Sequence, residues 1–161
     1  MGNMRIARGV CWILLVLWVY SFFLPAERIQ SIGGHEMNSG WDVAVTSLVL
    51  FWVPYYGQLW IANVLMLLAP IFLERLKNGK GRAYVVTLSI FAILPLAFPL
   101  IPHGGILEQF KGLESGFYLW EISLLGMMAL CMAVASASKQ TRRLATSAGP
   151  APQIPQTSNP Q

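Results

Sequence analysis

Three polar side chains within the apolar runs of this sequence are the main candidates for chemistry inside a membrane. Glu121 lies one turn into the last apolar run, and Gln58 and Asn63 lie near the start of an earlier one. A carboxylate inside a membrane is costly and often binds a proton or a cation. The shallow depth of Glu121 favours a simpler interpretation, in which its side chain reaches the outer water. We expect Asn63 to hydrogen-bond Glu121 or a backbone carbonyl and so to join two helices.

Two histidines, His35 and His103, occur together with carboxylates in the polar connections between apolar runs. Histidine and carboxylate side chains are zinc ligands, and a histidine can also hold a tetrapyrrole metal. However, the His35-Glu36 pair lacks the helical spacing of a zinc peptidase motif, and His103 is distant in sequence. We therefore expect exposed loop residues rather than a metal centre. The sequence identifies no cofactor and no catalytic cluster.

The composition indicates a membrane protein. Of the 161 residues, 55% are hydrophobic and 11% are charged, whereas a soluble domain has about 25% charged residues. We predict membrane spans at about 9–25, 58–76, 83–101 and 117–137. The first run could also be a cleaved signal peptide, but its many aromatic residues favour a retained helix. The tail at 138–161 is rich in Pro, Gln, Ser and Thr, and we expect it to be disordered and cytoplasmic.

The positive charges predict the orientation. Nine of the eleven Lys and Arg residues lie near the N-terminus, in the loop at 74–82 and at the start of the tail. Six of the seven acidic residues lie on the opposite side. The positive-inside rule then places both termini and this loop in the cytoplasm, and a bacterial inner membrane is the expected location. Because the cations flank apolar runs, we expect contact with the lipid bilayer and no binding of nucleic acid.

The longest apolar region, 43–73, must cross the membrane once, because its flanking segments are expected on opposite sides. A straight helix of these 31 residues would exceed the hydrocarbon core by roughly 15 Å. We predict a break at Pro54 and Gly57, with an interfacial or slightly re-entrant helix at 40–52 before it and a span after it. The alternative is one long, strongly tilted helix.

The predicted fold class is therefore all-α, a polytopic membrane protein with four transmembrane helices and a short outer interfacial or re-entrant helix. The last span carries a stripe of small residues, namely Gly126, Ala129, Ala133 and Ala137. Small residues let a second helix approach closely. We expect this stripe to pack within the bundle, and a homo-oligomer or partner face is the alternative.

Three short motifs resemble a family of small bacterial four-span membrane proteins. The motifs are Gly40-Trp41 after the first outer connection, Trp60-x-Ala62-Asn63 in the second span, and Gly116 to Trp120 at the start of the last span. Where such families commonly have proline after the asparagine, this chain has Val64. The resemblance covers most of 23–132. It implies the same four-span topology and no particular activity.

The expected function is that of a non-catalytic accessory subunit or interaction scaffold, which binds a protein partner or a second copy of itself. The alternative is a small transporter or ion-coupled carrier that uses Glu121 and Asn63. A third possibility is an enzyme acting on a lipid or an isoprenoid at the outer interface, with His35 and His103 as its candidate residues.

Overall fold

A computed structural model describes residues 2–31, 34–52, 54–96 and 110–147, and it is mostly helical. The helices are α1 (Gly2–Ser21), α2 (Gly40–Val49), α3 (Pro54–Lys77), α4 (Arg82–Ile93) and α5 (Ser115–Ser147). The strands are β1 (Pro25–Ser31), β2 (Gly34–Ser39) and β3 (Phe110–Leu113). The helical character predicted from the sequence is confirmed, but the all-α prediction did not include these strands.

Among the described residues, three helical segments are long and apolar enough to cross a membrane: Met4–Ser21, Tyr56–Lys77 and Ser115–Thr141. A shorter apolar helix covers Arg82–Leu96, and the rest of the third predicted span lies outside the described residues. Large apolar side chains remain exposed on the outward faces of α1, α3 and α4; they include Ile13, Val16, Leu67, Ile71, Val86 and Ile90. Apolar surface of this extent is typical of a protein in contact with lipid.

The region 43–73 contains two helices, with the break near the predicted position. α2 ends at Val49 and α3 begins at Pro54. Proline is tolerated in the first turn of a helix because the N–H that it lacks would have no partner there. A Cβ on Gly57 would collide with the carbonyl oxygen of Phe51, so the tight turn into α3 requires glycine. The alternative of one continuous long helix is therefore wrong.

α2 begins with a capping box. The Ser39 hydroxyl accepts a hydrogen bond from the backbone N–H of Asp42, and the Asp42 carboxylate accepts one from the Ser39 backbone at 3.0 Å. Hydrogen bonds from the side chain and then the backbone of Ser39 hold the pKa of Asp42 below its usual value. α2 packs against α3, β1 and β2, while Trp41 and Leu48 on its outward face are exposed.

The three strands form an antiparallel sheet in the order β2-β1-β3 at one end of the bundle. In the central strand, Glu27 lies opposite Asn38 of β2 and opposite Leu113 of β3. An ion pair between Arg28 and Glu114 fastens the start of α5 to β1. We call this end of the molecule the sheet end, and the opposite end, which carries the connection between α3 and α4, the turn end.

The backbones of α2 and α5 begin directly against the end of α1. The N–H of Gly40 donates to the carbonyl of Leu24 at 2.9 Å. A Cβ on Gly40 would lie 2.6 Å from the carbonyl oxygen of Ser21, and a Cβ on Gly116 would lie 2.8 Å from that of Leu24. Only glycine allows these approaches, so the two glycines fix how α2 and α5 meet α1.

At the turn end, α3 ends in a Schellman motif. The N–H of Lys80 donates to the carbonyl of Arg75 at 3.0 Å, and the N–H of Gly79 donates to that of Leu76 at 2.9 Å. This motif needs a left-handed residue after the helix, and Gly79 supplies it with φ of 66°. The glycine of this basic loop therefore turns the chain sharply from α3 toward α4.

α5 is longer than the predicted span at 117–137. It continues to Ser147, so the prediction of disorder is wrong for 138–147, while 148–161 lie outside the described residues. Its 33 residues measure about 50 Å, compared with about 30 Å for a hydrocarbon core. The hydroxyl of Ser138 donates to the carbonyl of Lys77 at 3.1 Å, which holds the extension of α5 beside the end of α3.

Candidate functional site

One asparagine joins three helices near the sheet end. The Oδ1 atom of Asn63 on α3 accepts hydrogen bonds from the indole Nε1 of Trp18 on α1, at 3.1 Å, and of Trp120 on α5, at 2.8 Å. An indole N–H can only donate, so both bonds require the oxygen rather than the nitrogen of the asparagine amide. Both lone pairs of that oxygen are then used. We call these three residues the tryptophan–asparagine tie.

The tie is held in an apolar environment. Trp18 lies one turn before the end of α1, and Trp120 lies in the second turn of α5. The two tryptophans are only 5% and 6% exposed. The ring of Phe22 meets that of Trp18 at 4.9 Å, and the ring of Phe117 meets that of Trp120 at 5.7 Å. These aromatic contacts orient each indole so that its N–H points toward Asn63.

The structure corrects the partners predicted for Asn63. Its amide oxygen joins helices, as expected, but it binds two indoles rather than Glu121 or a backbone carbonyl. Trp18 lies in the first predicted span, but its hydrogen bond was not predicted. The approach of α1 to α3 cannot be inferred from spacing along the chain. Gln58, the other polar residue on α3, is half-buried.

Glu121 is buried rather than extended toward water. It is 3% exposed, and neither of its carboxylate oxygens has a hydrogen-bond partner in the part of the chain that the structure describes. The preferred interpretation, in which the side chain reaches the outer water, is therefore wrong. A carboxylate in such surroundings is costly unless it is protonated or neutralised by a cation, and Glu121 therefore remains a candidate ion site.

A small cavity lies beside the tie. Its volume is about 30 Å³, and its polar lining consists of Ser21, Glu27, Ser47 and Asn63. One water needs about 10–15 Å³ of such volume, so about two waters fit, whereas pockets for organic ligands have about 300–1,000 Å³. Glu27 is buried here, although the sequence placed it in a polar connection, and it has an interaction partner of its own. The cavity is thus far too small for an organic substrate.

The two histidines do not form a described site. His35 lies in β2 with its backbone opposite Gln30, and His103 lies outside the described residues. Among the residues that the structure describes, no group of three or more His, Cys, Asp or Glu side chains is placed to hold a metal ion. Cys11 and Cys131, which the sequence places within spans, are buried free thiols.

The small-residue stripe of α5 is divided between two environments. Gly126 faces α1, because a Cβ there would lie 2.8 Å from Cδ2 of Leu14. Ala129, Ala133 and Ala137 are exposed, so the expectation that the whole stripe packs within the bundle is wrong. The buried face of α5 consists instead of larger residues: Trp120, Leu124, Met127 and Cys131.

Together these features define a helical bundle with three membrane-length helices, a polar joint at the sheet end and an exposed small-residue face on α5. Comparison with known protein families, with curated proteins and with solved structures finds no match to this chain. The resemblance to small bacterial four-span proteins therefore stays a prediction.

We predict that Asn63→Leu lowers the free energy of unfolding by roughly 1–3 kcal/mol. Two buried indole N–H groups lose their acceptor, and a hydrogen bond between membrane helices contributes about 0.6–1.7 kcal/mol. Unfolding of the purified protein in mixed detergent micelles measures the change. The control Gln58→Leu, on the same helix, should change stability by less than about 0.5 kcal/mol.

A double-mutant cycle separates the hydrogen bonds from general packing. Trp18→Phe and Trp120→Phe should each cost less in the Asn63→Leu background than in the native chain, with a coupling of roughly 0.5–1.5 kcal/mol. Equal costs in both backgrounds would show that the indoles contribute only by packing, and the tie would lose its assigned role.

Proposed function

We propose that this protein is a four-span membrane protein of the bacterial inner membrane, with both termini in the cytoplasm, that serves as an accessory or scaffold subunit of a membrane complex. A fourth crossing is supported by the path of the chain. α4 begins at the turn end, whereas β3 pairs with β1 at the sheet end, so the start of α4 and β3 lie at opposite ends of the bundle. α2 forms the outer interfacial element of this proposal, and α1 is retained as a membrane anchor that supplies Trp18 to the tie.

The charge distribution supports the orientation. The turn end carries the basic loop between α3 and α4, the start of α1 and the extension of α5, which together hold nine of the eleven Lys and Arg residues. Cytoplasmic segments of membrane proteins carry this excess of positive charge. The sheet end then faces the outside.

Cysteine labelling tests this orientation. Met37 in β2 and Lys80 in the turn are both exposed, and the native Cys11 and Cys131 are buried. A membrane-impermeant maleimide should modify Met37→Cys in intact cells and Lys80→Cys only after the membrane is permeabilised. Modification of both positions from the same side would contradict the odd number of crossings between them.

The exposed small-residue face of α5 is the observation that carries the proposed function. Ala129, Ala133 and Ala137 are four residues apart, so they lie on one side of the helix, and the bundle leaves them uncovered. In a bilayer, lipid already solvates apolar side chains, and close contact between small residues is what favours association of helices. This face therefore fits a transmembrane helix of a partner protein. The small cavity at the sheet end, by contrast, gives little support to an enzyme of lipids.

A photo-reactive residue at Ala133 should form a defined crosslink to another membrane protein in cells. Ile71 on α3 is the control, because it is exposed and lies at a comparable distance from the start of its helix. Ala133→Leu should reduce recovery of the crosslinked partner in mild detergent, and Ala133→Gly should retain it. A crosslinked adduct of two copies of this chain would show that the face binds a second copy of the protein rather than a different partner. Equal, diffuse crosslinking at Ala133 and Ile71 would contradict the proposal.

Ion-coupled transport is a second candidate function, and the burial of Glu121 favours it. A carboxyl group without a hydrogen-bond partner among the described residues can take up a proton or a cation. Asn63 gives this candidate less support than the sequence indicated, because its oxygen already accepts two hydrogen bonds. The carrier hypothesis therefore rests on Glu121 alone.

Flux measurements in proteoliposomes test the carrier hypothesis. If Glu121 carries the ion, Glu121→Gln should reduce proton or cation flux by about tenfold or more, because the amide cannot ionise. Glu74→Gln is the control, because Glu74 is partly exposed and pairs with Arg8 at the end of the bundle opposite to Glu121. Flux that Glu121→Gln leaves unchanged would reject this role.

A further inference from the structure

A large cleft opens at the turn end between α5 and the connection from α3 to α4. Its volume is about 520 Å³, which lies in the range of about 300–1,000 Å³ that small ligands occupy. One wall is formed by Leu76, Gly79 and Arg82, and the other by the extension of α5 from Ala135 to Ser147. The cleft exists because α5 continues past the end of α3 while α3 turns away at Gly79.

The charged residues that line the cleft are all cations. Arg82 lies on one wall, and Lys139 and Arg143 lie on the other. Among the described residues, no Asp or Glu lines the cleft. Glu74, the acid nearest to this loop in sequence, is bound by Arg8, whose Nε donates to its Oε1 at 2.7 Å. The three cations therefore face a common space without a neutralising carboxylate in the described lining.

The start of α4 adds to this positive potential. Gly81 is the N-cap of α4, and no side chain caps the helix there. The first N–H groups of a helix lack acceptors within the helix and carry a partial positive charge. Because Arg82 is the first residue of α4 and also lines the cleft, this uncapped turn lies beside the cationic side chains.

The floor of the cleft is apolar. Leu76 is 1% exposed, and Ala135 is partly buried and packs against the hydrophobic core. By length and composition, the segment of α5 that could cross a membrane ends at Thr141, between Lys139 and Arg143. A basic rim beside an apolar floor, at the end of this segment, matches an anionic lipid. The phosphate of such a lipid lies at the membrane boundary, and its acyl chains enter the hydrocarbon core. A free phosphate ion would use the rim alone.

We propose that this cleft binds the headgroup of an anionic phospholipid from the leaflet at the turn end. Arg82, Lys139 and Arg143 contact the phosphate, and the glycerol and first methylenes of the acyl chains lie against Ala135, beside the nearly fully buried Leu76. Basic pockets between membrane helices recognise anionic lipid headgroups by this combination of charge and position. The site is separate from the small-residue face of α5, and its test does not depend on whether a protein partner exists.

Native mass spectrometry of the full chain in a non-ionic detergent tests the site with phosphatidylglycerol, phosphatidylcholine and inorganic phosphate as probes. The native protein should retain one phosphatidylglycerol with at least about tenfold preference over phosphatidylcholine. Arg82→Gln combined with Arg143→Gln should remove this preference, and Arg82→Lys combined with Arg143→Lys should largely keep it.

The matched control is Lys77→Gln combined with Lys80→Gln. It also removes two positive charges, but from exposed positions in and beside the adjacent turn that do not line the cleft, and it should leave lipid retention unchanged. If both glutamine pairs lose the preference for phosphatidylglycerol equally, the preference depends on net charge alone, and the proposed site is overturned. Equal retention of the two lipids, or complete displacement of phosphatidylglycerol by millimolar phosphate, would also overturn it.

Discussion

The sheet end of the bundle depends on one amide oxygen that accepts two indole hydrogen bonds. Because lipid solvates apolar side chains as well as a protein interior does, burial alone does not fix which faces of membrane helices meet. An indole N–H can donate in only one direction, and the Asn63 oxygen accepts two such bonds, one from Trp18 and one from Trp120. The rotation of α1, α3 and α5 about their axes is therefore specified together. The approaches of Gly40 and Gly116 to the end of α1 require that same arrangement.

The two ends of the molecule differ in what they can bind. The sheet end is closed by strands, a capped helix and buried polar groups, and its cavity of about 30 Å³ holds only water-sized molecules. The turn end is open and basic, and the extension of α5 borders it. The proposed binding of a protein partner and of a lipid therefore involves the outward face of α5 and the turn end.

Much of the helical layout could be predicted because it follows from length. A 31-residue apolar region is too long for one ordinary membrane span, which predicts a break, and Pro54 marks the place. The sheet was missed because 25–39 lacks alternating apolar residues, although the pair Gly33-Gly34 is a hairpin signal. The pairing of Glu27 with Leu113 joins residues far apart in sequence, and no local pattern reports it. The same limit hid the indole partners of Asn63 and the burial of Glu121, both of which depend on which helices become neighbours.

The three residues of the tie are synthesised one after another, on three successive parts of the chain. Chains are made from the N-terminus, so α1 is synthesised before the acceptor of the Trp18 indole N–H exists. Asn63 arrives with α3 and can satisfy that donor at once, while one lone pair of its oxygen stays open until Trp120 arrives on α5. The tie thus connects the first helix to be synthesised with the last, and a chain interrupted before α5 leaves one lone pair of the Asn63 oxygen without its indole donor.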